Sequence, residues 1–359
     1  QLPALLAQLQ MVSVSAPMSV SVQPDARDKR RHRVSVWQAG LGLPDRDDYF
    51  RDDARAKEVR DAYRRYLQRL LVLGGASEAE AVRAAASALL VETRLANASL
   101  KRTEMRDPNT LYNPRSVEQL RGKAGGLDWG ELFDRLALRD IDVVVVGQPG
   151  FVDAVNALAR ELPLPAWKTY LRLRLLDEFA PTLPAAWQDA HFAFRGGTLR
   201  GLKQRPPRSE EVIDHVAGPF GSQPLAEGLG ELFVARAFSP QAKARAVAMV
   251  EDIKQAMRSR IAALDWMSEP TKQRAVAKLD AMALQIGYPD RWKTYDGLAI
   301  DPTDYCGNAL RAQRHERARR MARLHQPVDR SEWFASPHIV NAFAGGFNNI
   351  VFPAGILQP

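Results

Sequence analysis

Met18, Val20 and Val22 alternate with Ser19, Ser21 and Gln23, and beyond a charged stretch Val34 and Val36 alternate with Ser35 and Trp37. Successive strand side chains face opposite sides, so this alternation predicts an antiparallel pair. Most of the remaining chain has helical spacing. Residues 1–11 read as the end of a helix. Val59, Tyr63, Tyr66, Leu70 and Leu73 recur at steps of three and four, which predicts a helix over 52–73 closed by Gly74 and Gly75. Ser77 with Glu80 forms a capping box for a helix over 78–102, whose apolar stripe is Val82, Ala85, Leu89 and Leu95. Two helices joined by so short a break are expected to pack as an antiparallel pair. Glu92 lies near that stripe and reads as a carboxylate answering an arginine, since no carboxylate or histidine partner is close in sequence.

The run from Ile141 to Val146 predicts one short strand, and residues 150–180 read as helical. The stretch 195–209 holds Gly196, Gly197, Gly201, Pro206 and Pro207 and reads as a loop, as does 122–126. Ser239 followed by Pro240 is a helix start. The helix it opens, over 240–264, carries Val247, Val250, Ile253, Met257, Ile261 and Leu264 on one stripe. At the end of the sequence, residues 339–343 are apolar, Gly345 and Gly346 break the run, and Ile350, Val351 and Phe352 resume it until Pro353. Two β-prone runs around a Gly-Gly break predict a hairpin. Its first arm carries one polar side chain, Asn341. From the residues alone two readings stand. The hairpin is buried and Asn341 makes a local turn bond, or the amide pairs with an extended peptide beside the strand.

Composition narrows the function. The 359 residues suffice for two or more domains, and no apolar run is long enough for a membrane span. A single cysteine, Cys306, rules out an intrachain disulfide and is expected as a buried thiol. The net charge of +8 raises the question of nucleic acid. However, the cluster at Lys29, Arg30, Arg31, His32 and Arg33 sits where a solvated turn is expected. The arginines of 303–324 are spread round their helix, and aromatic residues are not interleaved with them as base stacking requires. The run at 141–146 is followed by a Gly-Gln-Pro-Gly stretch, which lacks the glycine spacing of a dinucleotide fold.

Several separated stretches share one resemblance. Val340-Asn341-Ala342-Phe343 followed by I-V-F-P-A-G-I-L-Q-P is similar to the substrate-binding segment of the neprilysin and endothelin-converting-enzyme family of zinc metallopeptidases. G-L-G-L-P-D-R at 40–46, E-T-R-L-A-N-A-S at 92–99 and I-G-Y-P at 286–289 resemble the same family, in the same order. The resemblance implies that Asn341 and Ala342 sit on an edge strand and bond to the substrate backbone. It also implies that Ile356 lines the pocket for the residue after the scissile bond. It further implies a mainly α fold with short antiparallel β hairpins. A neprilysin-like helical lobe over 1–238 covers the active site, linking helices span 239–330, and the substrate-binding hairpin at 331–359 begins a thermolysin-like catalytic lobe. Short peptides are the implied substrates, and the implied compartment is periplasmic or secreted. The resemblance gives no oligomeric state.

The implied cofactor is zinc, held in the family by H-E-x-x-H and a further Glu. The six histidines are His32, His191, His215, His315, His325 and His338, and no two stand four apart. His315-Glu316 has Arg319 at the position a second ligand would need. No metal ligand or catalytic residue is therefore expected in this sequence. It begins in helical pattern without Met and reads as part of a longer protein, with H-E-x-x-H expected beyond Pro359. The alternative is a non-catalytic helical module that binds peptides without cutting them.

Overall fold

The computed structural model describes residues 1–122 and 124–358; Lys123, in the expected loop at 122–126, and Pro359 lie outside the described residues. In chain order the elements begin with α1 (Leu2–Met11), β1 (Met18–Pro24), β2 (His32–Gln38), α2 (Ala54–Leu73), α3 (Glu78–Ala98), β3 (Asn113–Arg115) and α4 (Val117–Arg121). Next come α5 (Trp129–Arg135), β4 (Val144–Val146), α6 (Pro149–Glu161), α7 (Leu164–Phe179) and α8 (Ala185–His191). They continue with α9 (Arg208–Ala217), α10 (Ala226–Ala237), α11 (Pro240–Ala263), α12 (Glu269–Asp280) and β5 (Ala283–Gly287). The last are α13 (Tyr305–Met321), β6 (Phe343–Gly345) and β7 (Asn349–Pro353). Two compact units divide the chain: residues 1–205 with 298–328, and residues 206–297 with 329–359.

The first unit is mostly helical and carries β1 to β4. Its α2 starts at Asp53, whose carboxylate accepts from the Ala56 amide at 3.0 Å, and its α3 starts at the Ser77/Glu80 capping box. The two helices pack together, and α3 also meets α6 and α7. Val82, placed on the core stripe of α3 by its hydrophobicity, is 51% exposed. Ala85 and Leu95 of that stripe are buried as expected, and Ala81, Ala88 and Val91 complete the core face. The segment 150–180 is helical as expected, as two helices parted at Leu162 and Pro163.

The alternating segments do pair antiparallel, from Met18 opposite Gln38 to Pro24 opposite His32. Beside them β4 runs parallel to β2 and β3 closes the sheet, in the order β1-β2-β4-β3. The parallel pairing joins residues about 110 positions apart, so no hairpin signal announces it. The basic cluster is only partly a turn. His32 and Arg33 belong to β2, and Arg33 bridges Asp25, at 3.2 Å, and Asp142.

The arginine-rich α13 is structural in this unit. Arg317 is buried and donates to the Gln10 carbonyl at 3.0 Å and the Val20 carbonyl at 2.6 Å; burial, then Arg320, pushes its guanidinium down to about 10. Glu316 gathers Arg319 and Arg320 at 2.9 and 2.6 Å. Cys306 is a free thiol, half-buried rather than buried.

In the second unit, α9 to α12 accompany a sheet ordered β5-β7-β6, with β5 parallel to β7 and β6 antiparallel to it. The Ser239 hydroxyl caps α11 at the Ala242 amide, 3.2 Å away. The stripe along α11 is not the buried face that its periodicity predicts. Val250 is buried, but Ile253 and Met257 are about half exposed, since the contacts of α11 with β5 and α12 leave them uncovered among the described residues. Among the described residues no helix is long and apolar enough to cross a membrane.

Candidate functional site

The terminal hairpin forms, with Phe343 opposite Val351 and Gly345 opposite Asn349. Its tip differs from the expected Gly-Gly break. The residue in the left-handed region is Asn348, at φ 55°, a conformation asparagine adopts more readily than most residues. Gly345 is needed for space, since a Cβ there would stand 2.0 Å from Asn349 Oδ1. Asn349 in turn donates to Gln285 Oε1 at 2.8 Å, and Gln285 donates to the carbonyls of Ser331 and Glu332 at 3.2 and 3.1 Å. This buried amide pair ties β5, β7 and the approach to β6 into one piece.

Asn341 and Ala342 lie just before β6, outside the ladder that the apolar pattern extended to 339–343. The reason is on the partner strand. Continuing the register would place Asn341 opposite Pro353, which has no N–H to offer, and the chain there turns into a 3-10 helix, Ala354–Leu357. Asn341 Oδ1 accepts from the Ala342 amide at 2.8 Å, and its Nδ2 has no partner among the described residues. Ile356 lies in the 3-10 helix and is 39% exposed, whereas Ala354 and Gly355 beside it are buried. The Gly355 amide donates to the Pro337 carbonyl at 2.8 Å, and a Cβ on Gly355 would come within 2.6 Å of the His338 carbonyl. That close approach sets the Ile356 turn against the segment that leads to Asn341.

The segment is held from below. Ser336 Oγ donates to the Ala226 carbonyl at 2.7 Å, so His338 Nδ1, 2.9 Å away, carries the proton between the two side chains. Burial pushes His338 below the usual histidine range and keeps it neutral. Gly230 of α10 permits the contact, since a Cβ there would lie 2.6 Å from Pro337 Cδ. Phe334 and Phe343 meet edge to face at 5.1 Å. Among the described residues β6 pairs only with β7, so its other side is a sheet edge. Such an edge can take an extended peptide as an added strand, with backbone bonds supplying affinity and side-chain pockets selectivity.

The family is settled by sequence. The model of peptidase family M13 matches residues 1–289. The chain belongs to peptidase family M13. Mouse endothelin-converting enzyme-like 1 is 32% identical over 360 residues, covering 97% of this M13 chain and 45% of its own length. The Mycobacterium tuberculosis zinc metalloprotease Zmp1 in complex with inhibitor superposes with a TM-score of 0.87 at 35% identity, over 100% of this chain and 54% of that one. PepO from Lactobacillus rhamnosis HN001 shares the fold, with a TM-score of 0.85 at 24% identity over 99% of this chain and 56% of its own. The M13 chain thus spans about half the length of the curated relatives it matches.

Among the described residues no group of three His, Cys, Asp or Glu side chains is placed to share a metal ion. Sequence reasoning also missed the buried polar network of the first unit, built from Glu92, Arg174, Asp177 and Arg195. The one local signal was the spacing of Arg174 and Asp177, three residues apart on α7.

Proposed function

We propose that this chain is the peptide-gripping portion of a zinc-dependent metalloendopeptidase that acts on short peptides. Membership of peptidase family M13 supports the reaction class, and the one-sided pairing of β6 carries the assignment of this portion. A substrate would lie antiparallel to the edge, with Asn341 and Ala342 fixing its register and Ile356 contacting the side chain after the scissile bond. Asn341 suits that role because its Nδ2 donor is uncommitted while its Oδ1 is held by the adjacent amide. The zinc ligands and the catalytic base belong, in this reading, to the part of the protein that corresponds to the half of the relatives this chain does not span. No catalytic step is assigned to the residues described. The compartment proposed is periplasmic or secreted.

The test is made on the full-length polypeptide. It is expected to hold one zinc ion per chain, to cleave a short peptide, to lose cleavage on chelation and to regain it when zinc returns. Cleavage that survives complete metal removal would overturn the reading.

A further inference from the structure

A cavity of about 460 Å³ opens in the first unit, a size suited to a small ligand or a peptide side chain. Val14, Leu41, Leu100 and Met105 give it apolar wall. Its charged lining residues are Asp45, Arg46, Arg102, Arg174 and Glu178. Each guanidinium is already answered. Arg46 pairs with Asp47 at 2.8 Å and Arg102 with Asp45 at 2.7 Å. Arg174 sits between Glu92 and Asp177 at 3.4 and 2.7 Å, and Arg195 shares Asp177. Four arginines thus face Asp45, Asp47, Glu92 and Asp177. Glu178 is a fifth carboxylate, and no hydrogen bond or ion pair reaches it among the described residues.

The sequence around Glu178 explains its position. Asp177 and Phe179, on either side of it in α7, are buried, while Glu178 is exposed at the cavity wall. It also lies in the last turn of α7, where the unsatisfied carbonyls of a helix end disfavour negative charge and attract positive charge. An incoming cation relieves that cost.

The geometry points to a binding site for a primary ammonium group in this cavity, with Glu178 as its counter-ion and the apolar wall receiving the attached methylenes. A peptide amino terminus and a lysine side chain both carry that group. Choosing between these two sources rests on the peptide reading above, but the ammonium site itself does not. It lies in the other unit from the β6 edge, and its test is binding rather than turnover.

The probes are n-butylammonium, n-butanol and butyrate, titrated calorimetrically into the full-length polypeptide. n-Butylammonium is expected to bind roughly tenfold or more tighter than n-butanol, because its donor carries a positive charge opposite the carboxylate and the alcohol's does not. Glu178→Gln, which keeps the shape, is expected to lose that margin with an unchanged thermal midpoint. Two further titrations identify the source: an alanine tripeptide amide with a free amino terminus, and an N-acetylated tripeptide amide bearing one lysine. Equal binding of n-butanol, tighter binding of butyrate, or full n-butylammonium affinity in Glu178→Gln would each overturn the proposal.

Discussion

Glu92→Ala is expected to lower stability by about 3–5 kcal/mol, the usual cost of breaking a buried charge pair by removing one partner. Glu92 is fully buried. Its carboxylate accepts from Tyr49 at 2.6 Å and from Tyr63 at 2.9 and 3.0 Å, and it faces Arg174 at 3.4 Å. Burial first, and then Glu92, raises both phenols well above their ordinary range, so they stay protonated and donate. Alanine would leave two buried hydroxyls without an acceptor and Arg174 with Asp177 as its only carboxylate. The thermal midpoint of the affected unit should fall by roughly 6–20 °C. Glu92→Gln keeps the shape and one acceptor oxygen, and should cost less than alanine. The double change with Arg174→Met should cost less than the sum of the single changes, because the two residues share one network. Chemical denaturation checks this, and a loss below about 1 kcal/mol for Glu92→Ala would contradict the network's role.

The second large effect concerns function. Asn341→Ala in the full-length protein is expected to lower kcat/KM for a short peptide by roughly 100-fold, since a substrate that loses its register no longer presents the scissile bond correctly. Stability should change by less than about 0.5 kcal/mol, as for substitutions away from the core. Asn341 is half-buried, lies outside the β6–β7 ladder, and among the described residues its side chain bonds to the next residue alone. The comparison is kcat/KM against the denaturation midpoint for the same variant. Parallel losses in both would mean that Asn341 holds the fold rather than the peptide.

What the sequence revealed was mostly local. The Ser77 capping box, the Ser239 cap and the terminal hairpin depend on residues within a few positions of each other, so their spacing specifies them. The Glu92 network could not be read that way, because Arg174 reaches Glu92 only after α3 and α7 have packed, and Arg195 reaches Asp177 from 18 residues away. Glu92 was readable as the partner of some arginine, but not of Arg174, which lies 82 residues away. Hydrophobicity misplaced Val82 on α3, where Ala85 and Leu95 of the same stripe are buried, and it misplaced much of the α11 stripe, which exceeds what β5 and α12 cover. At the candidate site the motif named Asn341, Ala342 and Ile356. What it could not show was that Pro353 ends the ladder before Asn341, or that Gly355 folds the Ile356 turn back on His338.

The most direct measurement is amide hydrogen exchange over residues 341–345 in the full-length protein, with zinc chelated so that a short peptide binds without being cut. If β6 holds the peptide as an added strand, exchange at Ala342 and along β6 slows when peptide is bound, while exchange in β1 and β2 is unchanged. Unaltered exchange at 341–345 with peptide demonstrably bound would contradict the account.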